Sequence, residues 1–301
     1  MCRPGWRLPS RTARTLDLFV RPPATPSSMA SGAPVPPPGR AVTAVAVIPA
    51  RYASTRLPGK PLIDLGGLPM IVRVVERARL TPGISTVLVA TDDVRVRDVV
   101  EAHGGRAVMT REDHRSGTDR LAEVAASLDC DVIVNVQGDE PLIEPAMIAE
   151  ALAPFAEDPT IEMTTLCRRL TDAEEFANPN VVKAVVGRDG FALYFSRSAV
   201  PFDRARGHHA VPSVACKHIG LYAYRRRTVL RLAALAPTAL EETEMLEQLR
   251  ALEHGIRIRV VQTDLDSIGV DTEADVARVR ALLAASPAVP LARPAHDHAQ
   301  P

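Results

Sequence analysis

The most restrictive feature of this sequence is an alternation. Between residues 42 and 136, short apolar runs at 42–49, 86–90, 106–110 and 132–136 are separated by segments at 70–80, 94–103 and 118–128 whose apolar residues recur at helical spacing. Runs of Val, Ile, Leu and Ala with no polar alternate face predict strands buried on both sides. Strand and helix alternating at this spacing predict a largely parallel sheet covered by helices on both faces. In such a sheet, ligands lie beyond the carboxyl ends of the strands. The loops following residues 49 and 136 are therefore the places to look for chemistry.

After residue 160 the rhythm changes. Strands are expected at 162–170, 181–187, 191–197 and 218–225, with Arg188-Asp189-Gly190 as the turn of a hairpin. A helix over 242–253, a strand over 256–262 and a closing helix over 273–283 complete the pattern. A strand-rich insertion in a strand–helix chain suits a substrate-binding or dimerisation arm. One folded domain is expected over 42–285, with a disordered tail over 286–301. Residues 1–41 read as a disordered extension rich in Pro and Arg. Its composition resembles an organellar transit peptide; a start at Met29 is the alternative, and the clustered prolines Pro34, Pro36, Pro37 and Pro38 oppose an amphipathic helix.

Composition narrows the class. The 301 residues are 46% hydrophobic and 24% charged, ordinary for a soluble domain with a sizeable core. Basic and acidic residues balance at 36 each, which argues against a nucleic-acid or anionic-membrane surface. Cys2, Cys130, Cys167 and Cys216 show no paired spacing, so neither a disulfide framework nor a structural zinc site is indicated. The absence of a long apolar run or a secretory h-region leads to the expectation of a cytoplasmic protein.

The loop Pro49-Ala50-Arg51-Tyr52-Ala53-Ser54-Thr55-Arg56-Leu57-Pro58-Gly59-Lys60-Pro61 follows the first strand directly. Two Arg and one Lys match the charge of a triphosphate, and small residues let backbone N–H groups approach phosphate oxygens. It is not a Walker loop, since Pro61 stands where Ser or Thr should follow the Lys, and no GxGxxG is present. A solvated basic turn is the blander reading. The stretch ARYASTRLPGKPL resembles the N-terminal signature of the 3-deoxy-manno-octulosonate (Kdo) cytidylyltransferases, and the resemblance extends from about residue 45 to 283. It implies a Rossmann-like nucleotide-diphospho-sugar transferase fold, α/β with a mostly parallel, mixed central sheet, and a homodimer. The implied activity moves CMP from CTP to Kdo for lipopolysaccharide synthesis. An 8-amino Kdo analogue or a sialic acid is an alternative acceptor, and a nucleotide-sugar sensor without turnover a more distant one.

Asn135-Val136-Gln137-Gly138-Asp139-Glu140-Pro141 closes an apolar strand with acids, and Gly269-Val270-Asp271-Thr272 offers another carboxylate. Mg²⁺ prefers one or two carboxylates together with phosphate oxygens and water. The resemblance assigns Asp139 and Asp271 to the metal; a turn residue and a helix cap are their alternative roles. An EF-hand over 264–269 fails, because Ile268 would occupy a ligand position. Arg51, Arg56 and Lys60 are expected to grip phosphates. CTP would also meet Ala50, Ser54, Thr55, Ser116, Gly117, Thr118 and Gln137. The resemblance places the acidic eight-carbon sugar against Gln137, Arg197, His218, Tyr222, Glu244 and Gln248. Arg197 can pair with a carboxylate, His218 and Tyr222 share a strand face, and Glu244 and Gln248 lie on one side of a helix. His218 and Tyr222 could equally be satisfied core groups. Two departures from close relatives stand out, a short His-rich loop between Arg204 and Pro212 and an acid at Glu242.

Overall fold

A computed structural model describes residues 42–53, 57–114, 116–207 and 210–285. The extension over 1–41 and the tail over 286–301 lie outside the described residues, as do Ser54, Thr55, Arg56, Arg115 and His208-His209.

The described chain forms a nine-stranded sheet. Strand β1 (Ala44–Ala50) lies between β2 (Ile84–Thr91) and β4 (Val132–Asn135), parallel to both, and β3 (Ala107–Met109) extends β2 in parallel. Strand β8 (Cys216–Arg225) then joins β4 antiparallel, followed by β5 (Met163–Arg169) and β9 (Ile258–Gln262). The hairpin β6 (Lys183–Val186) and β7 (Ala192–Ser196) attaches through β6 to the start of β8. The sheet is therefore mixed, with its parallel half built by the alternating N-terminal pattern and its antiparallel half by the later strands.

Both faces are covered, as the doubly apolar strands require. Ala44, Ala46, Ile48 and Ala50 face a core shared with α1 (Met70–Arg79), α2 (Val94–Ala102) and α4 (Pro145–Glu157). Val45 and Val47 point to the other face, beneath α3 (Gly117–Ala126), α6 (Arg226–Ala233) and α8 (Gln248–Glu253). Ile48 is fully buried, so its truncation to Ala would cost about 2–5 kcal/mol. A third, small core joins Leu57, Leu65 and Met70 to Val270, Val276 and Val279. It docks α9 (Glu273–Ala285) beneath the loop after β1, which delivers residue 271 to a place 211 positions away in sequence.

Three helices escape the apolar-period reading. Pro141, Pro145 and Pro154 punctuate the α4 region, yet Pro145 sits in the first turn, where a missing N–H costs nothing. Helix α6 follows β8 without any turn residue between them, and α5 (Ala173–Ala177) is barely one turn. The helix expected over 242–253 is two helices, α7 (Ala239–Glu244) and α8, broken at Met245 with φ 53° and ψ 49°. No Gly or Pro marks that break.

Candidate active site at the strand carboxyl ends

Lys60 occupies the centre of the site. It opens a 3-10 turn over Lys60–Leu62, preceded by Gly59 at φ 68°. A side chain at Gly59 would press on the Tyr52 ring, whose hydroxyl lies 3.1 Å from the position of such a Cβ. The Arg95 guanidinium stacks 3.4 Å over that ring and is oriented by the Asp93 carboxylate. The two ends of the loop after β1 are thus packed against each other through Tyr52.

The Lys60 ammonium donates to Asp139 at 2.6 Å and to Asp271 at 2.9 Å. Burial depresses its affinity for a proton, but the two carboxylates more than offset this and hold it above the usual lysine range. Gly138 makes the approach of Asp139 possible. A Cβ there would meet the Pro49 carbonyl oxygen at 2.8 Å. Val270 N–H donates to the Asp139 carbonyl at 2.9 Å, tying the two acidic segments together. Thr272 and Asp275 cap the start of α9 through reciprocal bonds, so Asp271 is spared the capping role and its carboxylate turns to Lys60. Glu140, next in sequence, is pushed up to about 7 by burial and by the charge of Asp139.

Arg51 leaves the end of β1 and donates to the His114 and Ser116 carbonyls, which joins this loop to the start of α3. Ser116 caps α3 in a reciprocal arrangement with Asp119. Gly117 packs against Pro49. Arg56, Ser54 and Thr55 fall outside the described residues.

Beside this charged pole, on the second face of the sheet, lies a cavity of about 180 Å³. Asn135 at the end of β4 and Gln137 just beyond it face this side, as do Tyr222 and Tyr224 of β8. Thr118 from α3 and Gln248 from α8 close it. Gln137 is anchored by donating to the Gly220 carbonyl at 3.2 Å, where β8 bulges against β5. Glu247 also lines the cavity. Its carboxylate accepts from the Thr118 hydroxyl at 2.8 Å, and its other oxygen, Oε1, faces the Arg250 guanidinium at 3.8 Å. Burial holds Glu247 above the usual carboxylate range.

The remaining expected sugar residues take other positions. His218 is packed behind Tyr222, edge-on to Phe195, with Nε2 hydrogen-bonded to the Thr165 hydroxyl at 2.9 Å. Burial lowers it to about 3, so it is a neutral imidazole. Arg197 and Glu244 bond to each other at the α7–α8 break. Arg197 donates to the Glu244 carbonyl at 2.7 Å and the Met245 carbonyl at 3.3 Å, while the Glu244 carboxylate accepts from Ser196 Oγ and from the Arg197 backbone. The break at Met245 rotates Glu244 off the face that carries Gln248 and leaves Glu247 on it. Continuous helical spacing selects the wrong acid for the cavity. Glu247 and Asn135 are the polar residues that sequence spacing overlooked, and the Asn two residues before Gln137 on the same strand face was the available signal.

The family model described as cytidylyltransferase matches residues 45–258. The 3-deoxy-manno-octulosonate cytidylyltransferase of Geobacter sulfurreducens is 54% identical over 241 residues, covering 78% of this chain and 96% of that protein. Its counterpart from Chloroherpeton thalassium is 51% identical over 243 residues, covering 80% and 98%. Among solved structures, CMP:2-keto-3-deoxy-manno-octonic acid synthetase complexed with CTP is 47% identical with a TM-score of 0.76, covering 80% of this chain and 98% of that one. A 4-diphosphocytidyl-2C-methyl-D-erythritol synthase from Anaerococcus prevotii, 12% identical with a TM-score of 0.54, shares the fold over 81% of this chain and all of that one. The parallel half-sheet, the loop after β1 and these similarities agree: the chain belongs to the 3-deoxy-manno-octulosonate cytidylyltransferase family.

Proposed function

We propose that the protein transfers CMP from CTP to Kdo, giving CMP-Kdo and pyrophosphate and so activating Kdo for lipopolysaccharide synthesis. The observation that carries this reading is the convergence of Lys60, Asp139 and Asp271 beside a polar cavity that contains Gln137. In the reaction, the anomeric hydroxyl of the sugar attacks the α-phosphorus of CTP as the bond to the bridging oxygen of pyrophosphate breaks. Positioning and electrostatic stabilisation suffice for this displacement, and no covalent enzyme intermediate is needed.

Mg²⁺ fits the acidic pair. Two carboxylates converge on one cation, Lys60, and two carboxylates are the protein share of a typical magnesium site. Asp139 and Asp271 would hold the ion, which when bound supplies charge neutralisation for the triphosphate and the departing pyrophosphate. Lys60 and Arg51 bring positive charge to the phosphates from the loop after β1, with Arg56 assigned the same task by its place in the motif. Gln137, Tyr222, Glu247 and Gln248 orient the sugar hydroxyls from the cavity. We place Kdo there because the cavity presents acceptors, and a polyhydroxy acid presents the donors that match them.

We read the strand-rich insertion as the dimerisation arm, supported by Leu193 and Val214, which are 65% and 67% exposed. Light scattering on the purified chain tests this, a monomer at micromolar concentration opposing it. No described helix is long and apolar enough to cross a membrane, and CTP as donor suits a cytoplasmic site of action. The decisive experiment is a pyrophosphate-release assay with CTP, with and without Mg²⁺, offering Kdo, its 8-amino analogue and a sialic acid in turn. Turnover with Kdo supports the proposal. Preference for another acceptor, or for UTP over CTP, overturns it.

A further inference from the structure

Strands β5 and β8 run antiparallel with Cys167 opposite His218 and Arg169 opposite Cys216. Cys167 and Cys216 are therefore diagonal neighbours on one face of the sheet. Their thiols are close enough to influence each other's protonation. Cys167 is buried and Cys216 half-buried, so Cys216 is the more accessible of the two. Neighbouring Cys167, with a further contribution from the Arg169 charge, outweighs burial and lowers the Cys216 thiol below the usual cysteine range, whereas burial pushes Cys130 up to about 11. A lowered thiol is the more readily deprotonated one, and the thiolate is the reactive form.

We propose that Cys167 and Cys216 form an oxidisable dithiol, a modification site for hydroperoxides whose closure to a disulfide lowers the activity of the enzyme. The Cys216 thiolate attacks the terminal peroxide oxygen, the O–O bond breaks, and the leaving oxygen takes up a proton to depart as water or an alcohol. The resulting sulfenic acid is attacked by the Cys167 sulfur, which loses its proton as the S–O bond breaks and a second water leaves. Two thiols are oxidised and one peroxide is reduced.

The consequence for activity runs through His218. Cys167 is its direct partner across the sheet, and Thr165, two residues along the same strand, holds its Nε2. The His218 ring in turn packs on Tyr222, which lines the cavity. A covalent bond between the two strands at this point resets the spacing that positions Tyr222.

The formation of the disulfide is independent of the functional reading; the loss of activity rests on it. The test uses the full chain with Cys2→Ser and Cys130→Ser, treated with limiting hydrogen peroxide. The expected products are an intact mass lower by two hydrogens and a linked peptide pair joining Cys167 to Cys216. Before oxidation, alkylation of Cys216 should reach half its maximal rate at a pH below the usual value of about 8.5. Pyrophosphate release should fall on oxidation and return with dithiothreitol, while Cys167→Ser and Cys216→Ser keep the reduced rate and resist peroxide. Failure to lose the two hydrogens, or a link elsewhere, overturns the site. A disulfide that forms with activity unchanged overturns the coupling to His218. A reduced protein without turnover speaks against the cytidylyltransferase reading alone, since the mass measurement still decides the dithiol.

Discussion

The charged pole and the cavity beside it are built by different means. Lys60, Asp139 and Asp271 each sit within a contiguous motif after a strand or before a helix, and their geometry follows from local turns: Gly59 at φ 68°, Gly138 against Pro49, and Thr272 capping α9. The cavity takes its lining from β4, β8, α3 and α8, and its shape depends on a helix break with no sequence marker. Chemistry common to every nucleotide transfer sits on the first framework. On the proposed reading, recognition of the sugar draws on the second, where a change of packing would retune it without disturbing the phosphates.

The two poles should separate in kinetics. Asp139→Asn and Asp271→Asn are expected to lower kcat by about 10²–10³-fold, with little change in the KM for the sugar, as measured by pyrophosphate release at saturating CTP. Each removes half of the acidic pair and leaves Lys60 to the other half. An equal loss from substitutions in the cavity would erase the distinction. Gln137→Ala and Gln248→Ala should instead raise the KM for Kdo by about ten- to a hundred-fold, the scale of one or two lost hydrogen bonds to a bound hydroxyl. The KM for CTP should stay within a few-fold.

Much of the charged pole was legible in the sequence because its residues are neighbours within motifs. The parallel half of the sheet was equally legible, since apolar runs such as Val132–Asn135 are buried on both faces and admit no other role. The cavity was not, and Arg197 and Glu244 show why. As sequence, an Arg at a strand end and an acid on a helix suit an acidic polyol. In the fold they satisfy each other, and the fully buried Lys183 adds a bond to the Arg197 carbonyl at 2.7 Å.

Arg197→Ala sharpens the same contrast. If Arg197 clamps the α7–α8 break, the variant should lose about 2 kcal/mol of stability, lowering the Tm by about 4–8 °C, with a smaller change in the KM for Kdo than Gln248→Ala. A large rise in that KM at unchanged Tm would return Arg197 to the sugar. His218 offers a comparable test by pH. Its folded value near 3 lies below the unfolded value of 6.5, so the unfolded chain binds the proton more tightly. The stability associated with neutral His218 is present above pH 6.5 and is lost as pH falls toward 3. Between pH 6.5 and 5 the loss is about 1.6 kcal/mol. Urea titrations at both pH values should show this difference in the parent chain and a smaller one in His218→Gln.

The smallest effect concerns the break itself. Met245 holds a left-handed conformation, at φ 53°, while 75% exposed, so no packing of its own side chain explains the position. A residue with a Cβ pays roughly 1–2 kcal/mol for that conformation, and Gly avoids most of it at an entropic cost of about 0.5–1 kcal/mol. Met245→Gly should therefore stabilise the chain by up to about 1 kcal/mol, seen as a higher urea midpoint at unchanged slope. Because Glu247 and Gln248 keep their places only while the break persists, the variant should also leave the KM for Kdo unchanged. A lower midpoint would mean that the exposed Met245 side chain, and not the Arg197–Glu244 bonds, holds the two helices apart.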